Sequence, residues 1–193
     1  MKPNKKNSEI TAYSPEEEYI LQASKEYGAE IHLMLALVAK AGLRNGELCG
    51  LMWSDIDFEK KKVTIIRSIK QGFSTPNGNC GTVVQNALFK RTILLPECVI
   101  EALEQWKAVL GLSLDEEKRN SPYVFSNSRG EALSPPQLST RIKLFCRRYG
   151  FDSKDCSLVR LRKTCAFEMM GNGIPYDVVK EVLGYKSSNF LYY

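Results

Sequence analysis

Ala41-Gly42-Leu43-Arg44-Asn45-Gly46-Glu47-Leu48, running on into Gly50-Leu51-Met52-Trp53-Ser54-Asp55-Ile56-Asp57, is the stretch from which the rest of the chain can be read. Upstream, Glu30–Lys40 carries Ile31, Leu33, Met34, Leu35, Leu37 and Val38, apolar on most faces, which predicts a central helix. Gly42 ends that helix, and Asn45 is placed to cap a short one over Gly46–Met52. Arg44 therefore sits in a tight connection, from which its planar fork of donors can meet a phosphate or carboxylate. A second arginine, Arg162, stands far along the chain in Arg160-Leu161-Arg162-Lys163-Thr164. Two such forks on one anion make a phosphate clamp. Each also has a plainer reading: Arg44 as an ion pair with Glu47 or a cap on the preceding helix, Arg162 as the partner of Glu168 or Asp155.

The 193 residues are enough for one domain with a real core, and 44% apolar with 25% charged is ordinary globular composition. The net charge of +5 is unevenly spread: Arg141, Lys143, Arg147, Arg148, Lys154, Arg160, Arg162 and Lys163 face only Asp152 and Asp155 over the same stretch. That concentration favours a polyanionic partner, although a solvated helix face is an equal reading of the charge alone. The six cysteines form no Cys-x-x-Cys pair, and His32 is the one histidine, so a zinc site has little to build from and no metal or cofactor is expected. The thiols read as reduced core groups of a cytoplasmic protein, and His32 as a satisfied core histidine. The longest apolar run, about Leu33–Ala39, is too short for a membrane span.

Residues 1–12 read as a basic tail or linker, and residues 13–193 as one domain. Ser14, Pro15 and three glutamates open a helix reaching Tyr27. Lys62–Ile69, Thr82–Gln85 and Arg91–Leu95 read as three strands of a small antiparallel sheet. Pro96–Leu110 is an amphipathic helix, Asp115–Ser121 a charged loop and Tyr123–Phe125 a short extended piece. Ser134 caps a helix running to Tyr149, followed by helices over Leu158–Gly171 and Tyr176–Leu183. The fold class is α+β, mainly helical with a small three-stranded antiparallel sheet. Tyr123, Phe125 and Tyr149 read as core rather than base-stacking groups.

Four segments together resemble the tyrosine recombinase (phage integrase) family over its catalytic domain. They are the Arg44 segment through Asp57, Arg91-Thr-Ile-Leu-Leu-Pro96, Leu161-Arg162-Lys163-Thr164, and Val179-Lys-Glu-Val-Leu183-Gly184-Tyr185-Lys-Ser187-Ser188. The resemblance implies cleavage of DNA by a tyrosine that attacks a backbone phosphate, with a phosphotyrosyl link that a second strand resolves. It assigns Arg44 and Arg162 as the two arginines that stabilise the transition state, and Glu47 as the acid after the first. The hairpin lysine of the family falls on Gln85, the histidine before the second arginine on Val159, and the later histidine on Tyr185. Gln85 and Val159 cannot transfer a proton, whereas Tyr185 can donate one hydrogen bond. The nucleophile falls roughly nine or ten residues beyond Tyr185, so the chain either stops just short of it or uses Tyr193.

The resemblance thus implies a DNA-binding recombinase or integrase domain of a mobile element such as a phage, its site degenerate. The alternative is a non-catalytic pseudo-integrase that occupies DNA or regulates a recombinase. Arg141, Lys143, Arg147, Arg148, Arg160 and Lys163 are the candidate DNA contacts. Double-stranded DNA and other recombinase protomers are the expected partners, with no membrane. The family's N-terminal DNA-clamping domain is expected to be absent, and the C-terminus truncated.

Overall fold

The computed structural model describes residues 15–70, 82–85, 90–152 and 156–185. Among the described residues, eight α-helices and five strands follow one another in the order ααα–βββββ–ααααα, and the central element is the second helix. This helix, α2 (Ala29–Ala41), is buried from Ile31 through Ala39 without a break, as its all-round apolar sequence requires. Helices α1 (Pro15–Tyr27), α4 (Glu97–Gly111) and α7 (Leu158–Gly171) pack around it. Val99, Leu103, Trp106 and Leu110 form the buried stripe of α4, and the Trp106 indole donates to the Val124 carbonyl at 2.8 Å. His32 is buried as expected and is satisfied by Ser24 Oγ at 2.9 Å; burial and the nearby Lys25 hold its pKa below the usual imidazole value. Phe125 is fully buried and Tyr149 packs with Tyr27, Phe145 and Phe151, so these rings belong to the core.

Gly42 ends α2 in the left-handed conformation (φ 66°), with its N–H bonded to the Val38 carbonyl and that of Leu43 to Leu37. A Cβ at this position would stand 2.1 Å from Leu183 Cδ2, so glycine is demanded twice over, by backbone angle and by packing. The next helix, α3, spans Asn45–Gly50. Asn45 is inside it rather than its cap. Arg44 takes the capping position, and the Glu47 carboxylate accepts the Arg44 N–H at 2.9 Å.

The stretch expected as one strand over Lys62–Ile69 is two strands in two sheets. β2 (Lys62–Ile65) lies between β1 (Ile56–Asp57) and β5 (Arg91–Leu94), with Val63 opposite Ile93. β3 (Arg67–Lys70) pairs instead with β4 (Thr82–Gln85), with Arg67 opposite Gln85. The three-stranded antiparallel sheet therefore exists but contains β1 in place of β4. Two contacts draw β3 away at Ile66. Arg67 is ion-paired with Asp55 at 2.5 Å, and Gly46 and Gly50 of α3 let the β3 backbone lie directly on that helix. A Cβ on Gly46 would come within 2.5 Å of the Ile69 carbonyl oxygen.

The segment expected as a loop over Asp115–Ser121 holds one helical turn, α5 (Glu116–Arg119), whose Lys118 N–H is capped by Asp115 Oδ1 at 3.1 Å. Ser134 caps α6 (Pro135–Tyr149) in a reciprocal arrangement with Gln137, as the sequence predicts. The last described helix, α8 (Tyr176–Leu183), closes with Gly184 in the left-handed conformation. Of the cysteines, Cys49, Cys146, Cys156 and Cys165 are buried, whereas Cys98 is exposed on α4; Cys80 lies outside the described residues. Burial pushes the Cys49 and Cys165 thiols up to about 12, so both stay protonated. No helix among the described residues is long and apolar enough to cross a membrane.

Gly42→Ala combines a strained φ with an overlap against Leu183, and is expected to lower stability by about 2–4 kcal/mol. Urea denaturation of the two proteins tests this: the midpoint falls with an unchanged slope.

Candidate active site

Arg44 and Arg162 are brought together from opposite halves of the sequence by the ends of three helices. Arg44 stands where α2 hands over to α3, Arg162 lies on the buried face of α7, and both reach the C-terminal end of α8. A helix leaves its last carbonyls without partners, and they form the negative end of its dipole. Here the three successive carbonyls of Val182, Leu183 and Gly184 each accept a hydrogen bond from a different arginine. Arg91 Nε donates to Val182 at 2.7 Å, Arg162 Nη2 donates to Leu183, and Arg44 Nη2 donates to Gly184. Arg162 Nε is also fixed, at 2.7 Å, by the carbonyl of Gly42.

Arg44 keeps its plainer partner Glu47 as one contact among several, whereas Arg162 does not pair with Glu168. Glu168 is paired with Lys40 at 3.0 Å, not with Arg162. Asp155 lies outside the described residues. Arg44 Nη1 forms the expected ion pair with Glu47 Oε1 at 3.7 Å, and the closer partner of Glu47 is Arg91, whose Nη1 and Nη2 meet its two oxygens at 2.8 Å each. Burial alone would raise the Glu47 pKa. The bidentate bond and charge of Arg91, with the backbone N–H and charge of Arg44, outweigh it and hold the carboxyl below its ordinary value. Burial pulls the Arg162 guanidinium down to about 10, so it remains a cation at neutral pH.

A cleft of about 480 Å³ opens beside this cluster, lined by Arg44, Arg162, Lys163 and Tyr185 together with Leu158 and Val159. Tyr185 stacks on the arginines: its ring centre is 4.2 Å from the Arg162 guanidinium carbon and 5.8 Å from that of Arg44. Val159 is 65% exposed, and Lys163 stands one helical turn further along the same face of α7. The walls therefore supply two guanidiniums, an ammonium and a phenol to an anion, and Val159 supplies an apolar surface where the family pattern calls for an imidazole.

Gln85 is the last residue of β4, and its backbone lies opposite Arg67, beside α3. Tyr193 lies outside the described residues. The basic cluster divides into parts. Lys143, Arg147 and Arg148 are exposed on α6. Arg141 is tied to Glu30 and to the Ser126 carbonyl, and Arg160 stands 3.5 Å from Glu16 and Glu17 on α1. Lys163 alone of these lines the cleft. The group that sequence reasoning missed is Arg91, which stands there only as the first residue of the Arg91–Pro96 segment. Its signal was a charged residue at the head of an otherwise apolar strand, matched by the buried acid Glu47.

The Phage integrase family model matches residues 12–192. A XerC-like tyrosine recombinase of Caldanaerobacter subterraneus subsp. tengcongensis is 32% identical over 93% of this chain and 48% of its own length. Among solved structures, a XerA recombinase superposes with a TM-score of 0.70 at 20% identity, over 94% of this chain and 59% of that one. The Tn1549 transposon integrase in complex with transposon right end DNA superposes with a TM-score of 0.74 at 16% identity, over 94% and 60%. The chain spans about half the length of the curated recombinases it matches. Helices and sheets arranged as in those structures, and a family match running from residue 12 to residue 192, make this chain a member of the phage integrase family, within its catalytic domain.

Proposed function

We propose that this chain binds double-stranded DNA and acts in site-specific recombination, the integration or excision of a mobile element, by strand transfer through a phosphotyrosyl link. The observation that carries this reading is the pair of arginines, Arg44 and Arg162, both oriented by the end of α8 and both lining one cleft with Lys163. A phosphodiester under attack gains negative charge on its non-bridging oxygens, and fixed cations stabilise that charge without reorganising. In this scheme the guanidiniums grip those oxygens, and Tyr185 shields them and offers its hydroxyl. A tyrosine of the segment after Tyr185, with Tyr193 the candidate, attacks phosphorus and releases the 5′ oxygen. No metal or external energy source enters, because the phosphodiester energy is kept in the covalent link. The exposed Lys143, Arg147 and Arg148 add backbone contacts, further protomers complete the assembly on DNA, and the work is done in the cytoplasm.

The leaving oxygen needs a proton, and Gln85 and Val159 occupy the positions from which the family pattern supplies proton transfer. Each such role contributes roughly 10²–10⁴-fold, so we propose slow cleavage in this chain. The exposed apolar side chain of Val159 at the cleft also favours a second reading, a non-catalytic module that occupies DNA or regulates a recombinase.

Affinity for duplex DNA is expected to fall steeply as salt is raised, and Lys163→Gln to lower the slope of log affinity against log salt by about 1. Filter binding across a salt series reads this, and a flat response in the parent protein sinks the DNA-binding reading. With a nicked suicide substrate, a covalent adduct is expected that Tyr193→Phe and Arg162→Ala abolish. Gln85→Lys with Val159→His should raise its yield by at least ~10²-fold. No adduct from either the parent or the restored protein selects the non-catalytic module.

A further inference from the structure

Three arginines hold the end of α8, but the third does not line the cleft. The Arg91 side chain is 8% exposed, and its donors are directed at partners within the protein: the Val182 carbonyl and both oxygens of Glu47. It is too enclosed to grip a DNA backbone. What it touches nonetheless adjoins the groups that hold both cleft arginines. Val182 directly precedes Leu183, the acceptor of Arg162, and Gly184, the acceptor of Arg44, follows. Glu47 in turn accepts the backbone N–H of Arg44 at 2.9 Å. Gly184 completes the fit, since a Cβ there would lie 3.3 Å from Arg91 Nη1 and the backbone is left-handed at φ +68°.

We propose that Arg91 is a positioning residue of the phosphate site: by binding Val182 and Glu47 at once, it locks the last turn of α8 against the start of α3 and so sets the aim of Arg44, Arg162 and Tyr185. The proposal rests on the phosphate-site reading above. Only a guanidinium suits the position. Its fork meets both carboxylate oxygens while Nε reaches a carbonyl at the side, whereas a lysine has one compact ammonium on a flexible stem and cannot span the three acceptors. If Arg91 lets go, the acceptors of Arg44 and Arg162 shift together, and Tyr185 shifts with them. The effect is transmitted through a single helix end, with no change in the charges that line the cleft.

The test compares the parent chain, Arg91→Lys, and Arg91→Met combined with Glu47→Gln, which removes the buried charges as a pair and protects against a variant that fails to fold. The first measurement is amide hydrogen exchange in the absence of DNA. The Gly184 and Tyr185 amides, bonded at 2.9 Å to the carbonyls of Glu181 and Lys180, are expected to exchange at least ~10-fold faster in both variants while α2 and α4 keep their protection. The second is affinity for duplex DNA, expected to fall about tenfold in both, the effect of losing one well-aligned charge-assisted hydrogen bond. Parental exchange at Gly184 and Tyr185 in the double variant overturns the proposal, because Arg91 then serves only to neutralise Glu47. Parental DNA affinity despite faster exchange also overturns it, because the end of α8 then does not set the aim of the arginines. A parent chain with no salt-dependent DNA affinity is a distinct result: it removes the DNA-binding reading and, with it, the phosphate site that Arg91 is proposed to position.

Discussion

The carbonyls that α8 leaves unpaired at its C-terminal end are the constraint around which this domain is organised. Three guanidiniums from three different parts of the chain converge on Val182, Leu183 and Gly184. Each bond satisfies an orphan acceptor, and each places a positive charge at the negative end of a helix dipole. Such bonds to a charged donor are worth roughly twice a neutral one. They also join segments that share no sequence proximity, since Arg44 follows α2, Arg91 opens β5 and Arg162 lies within α7. The small sheet, the glycine corner at Gly42 and the helical layer are held in one relative arrangement by these contacts.

Stability alone does not account for such a cluster. Burial costs the Arg162 guanidinium enough to bring its pKa down to about 10, and the Arg91–Glu47 pair is almost wholly removed from solvent. Apolar residues of matching volume commonly replace buried ionic groups with no loss of stability, and often with a gain of about 1–4 kcal/mol. Carbonyl acceptors lower the cost without removing it, because they are partial charges set against a full one. A protein that keeps two buried arginines and a third, half-buried one at one helix end has use for aimed positive charge, and the cleft beside them is where that charge can act.

Much of this could be read from residue patterns. The apolar run of Glu30–Lys40, Gly42 as a stop, and the Ser134 cap with its prolines each predict an element from local chemistry, and each element is present. What sequence could not yield was partner choice. Lys62–Ile69 is rich in β-branched residues, and nothing in it marks Ile66 as the point where the chain changes sheets. That break comes from Arg67 reaching Asp55 and from the bare faces of Gly46 and Gly50, contacts that exist only after folding. Asn45 illustrates a second limit. It has the composition of a helix cap, but Glu47 caps the helix from within, because Arg91 has already anchored its carboxylate. The motif positions located Arg44 and Arg162, whereas Arg91 stands in its motif without a catalytic signature, and its bonds to Val182 and Glu47 are visible only as geometry.

The division of labour at this site follows from the same geometry. In the proposed site, charge stabilisation depends on guanidiniums aimed by one helix end, so what moves that end moves Arg44 and Arg162 together. The position that the family pattern gives to a histidine, Val159, instead projects into the cleft from the exposed side of α7, where nothing in the core requires it. A valine at position 159 leaves α7 and its buried face intact, for it is the exposed side of the helix that changes. On the proposed reading, a domain of this design can lose an acid–base group at position 159 while its arginines, locked into the end of α8, continue to present a site shaped for a phosphate. The proposed phosphate clamp is built into the fold, whereas position 159 is carried on its surface.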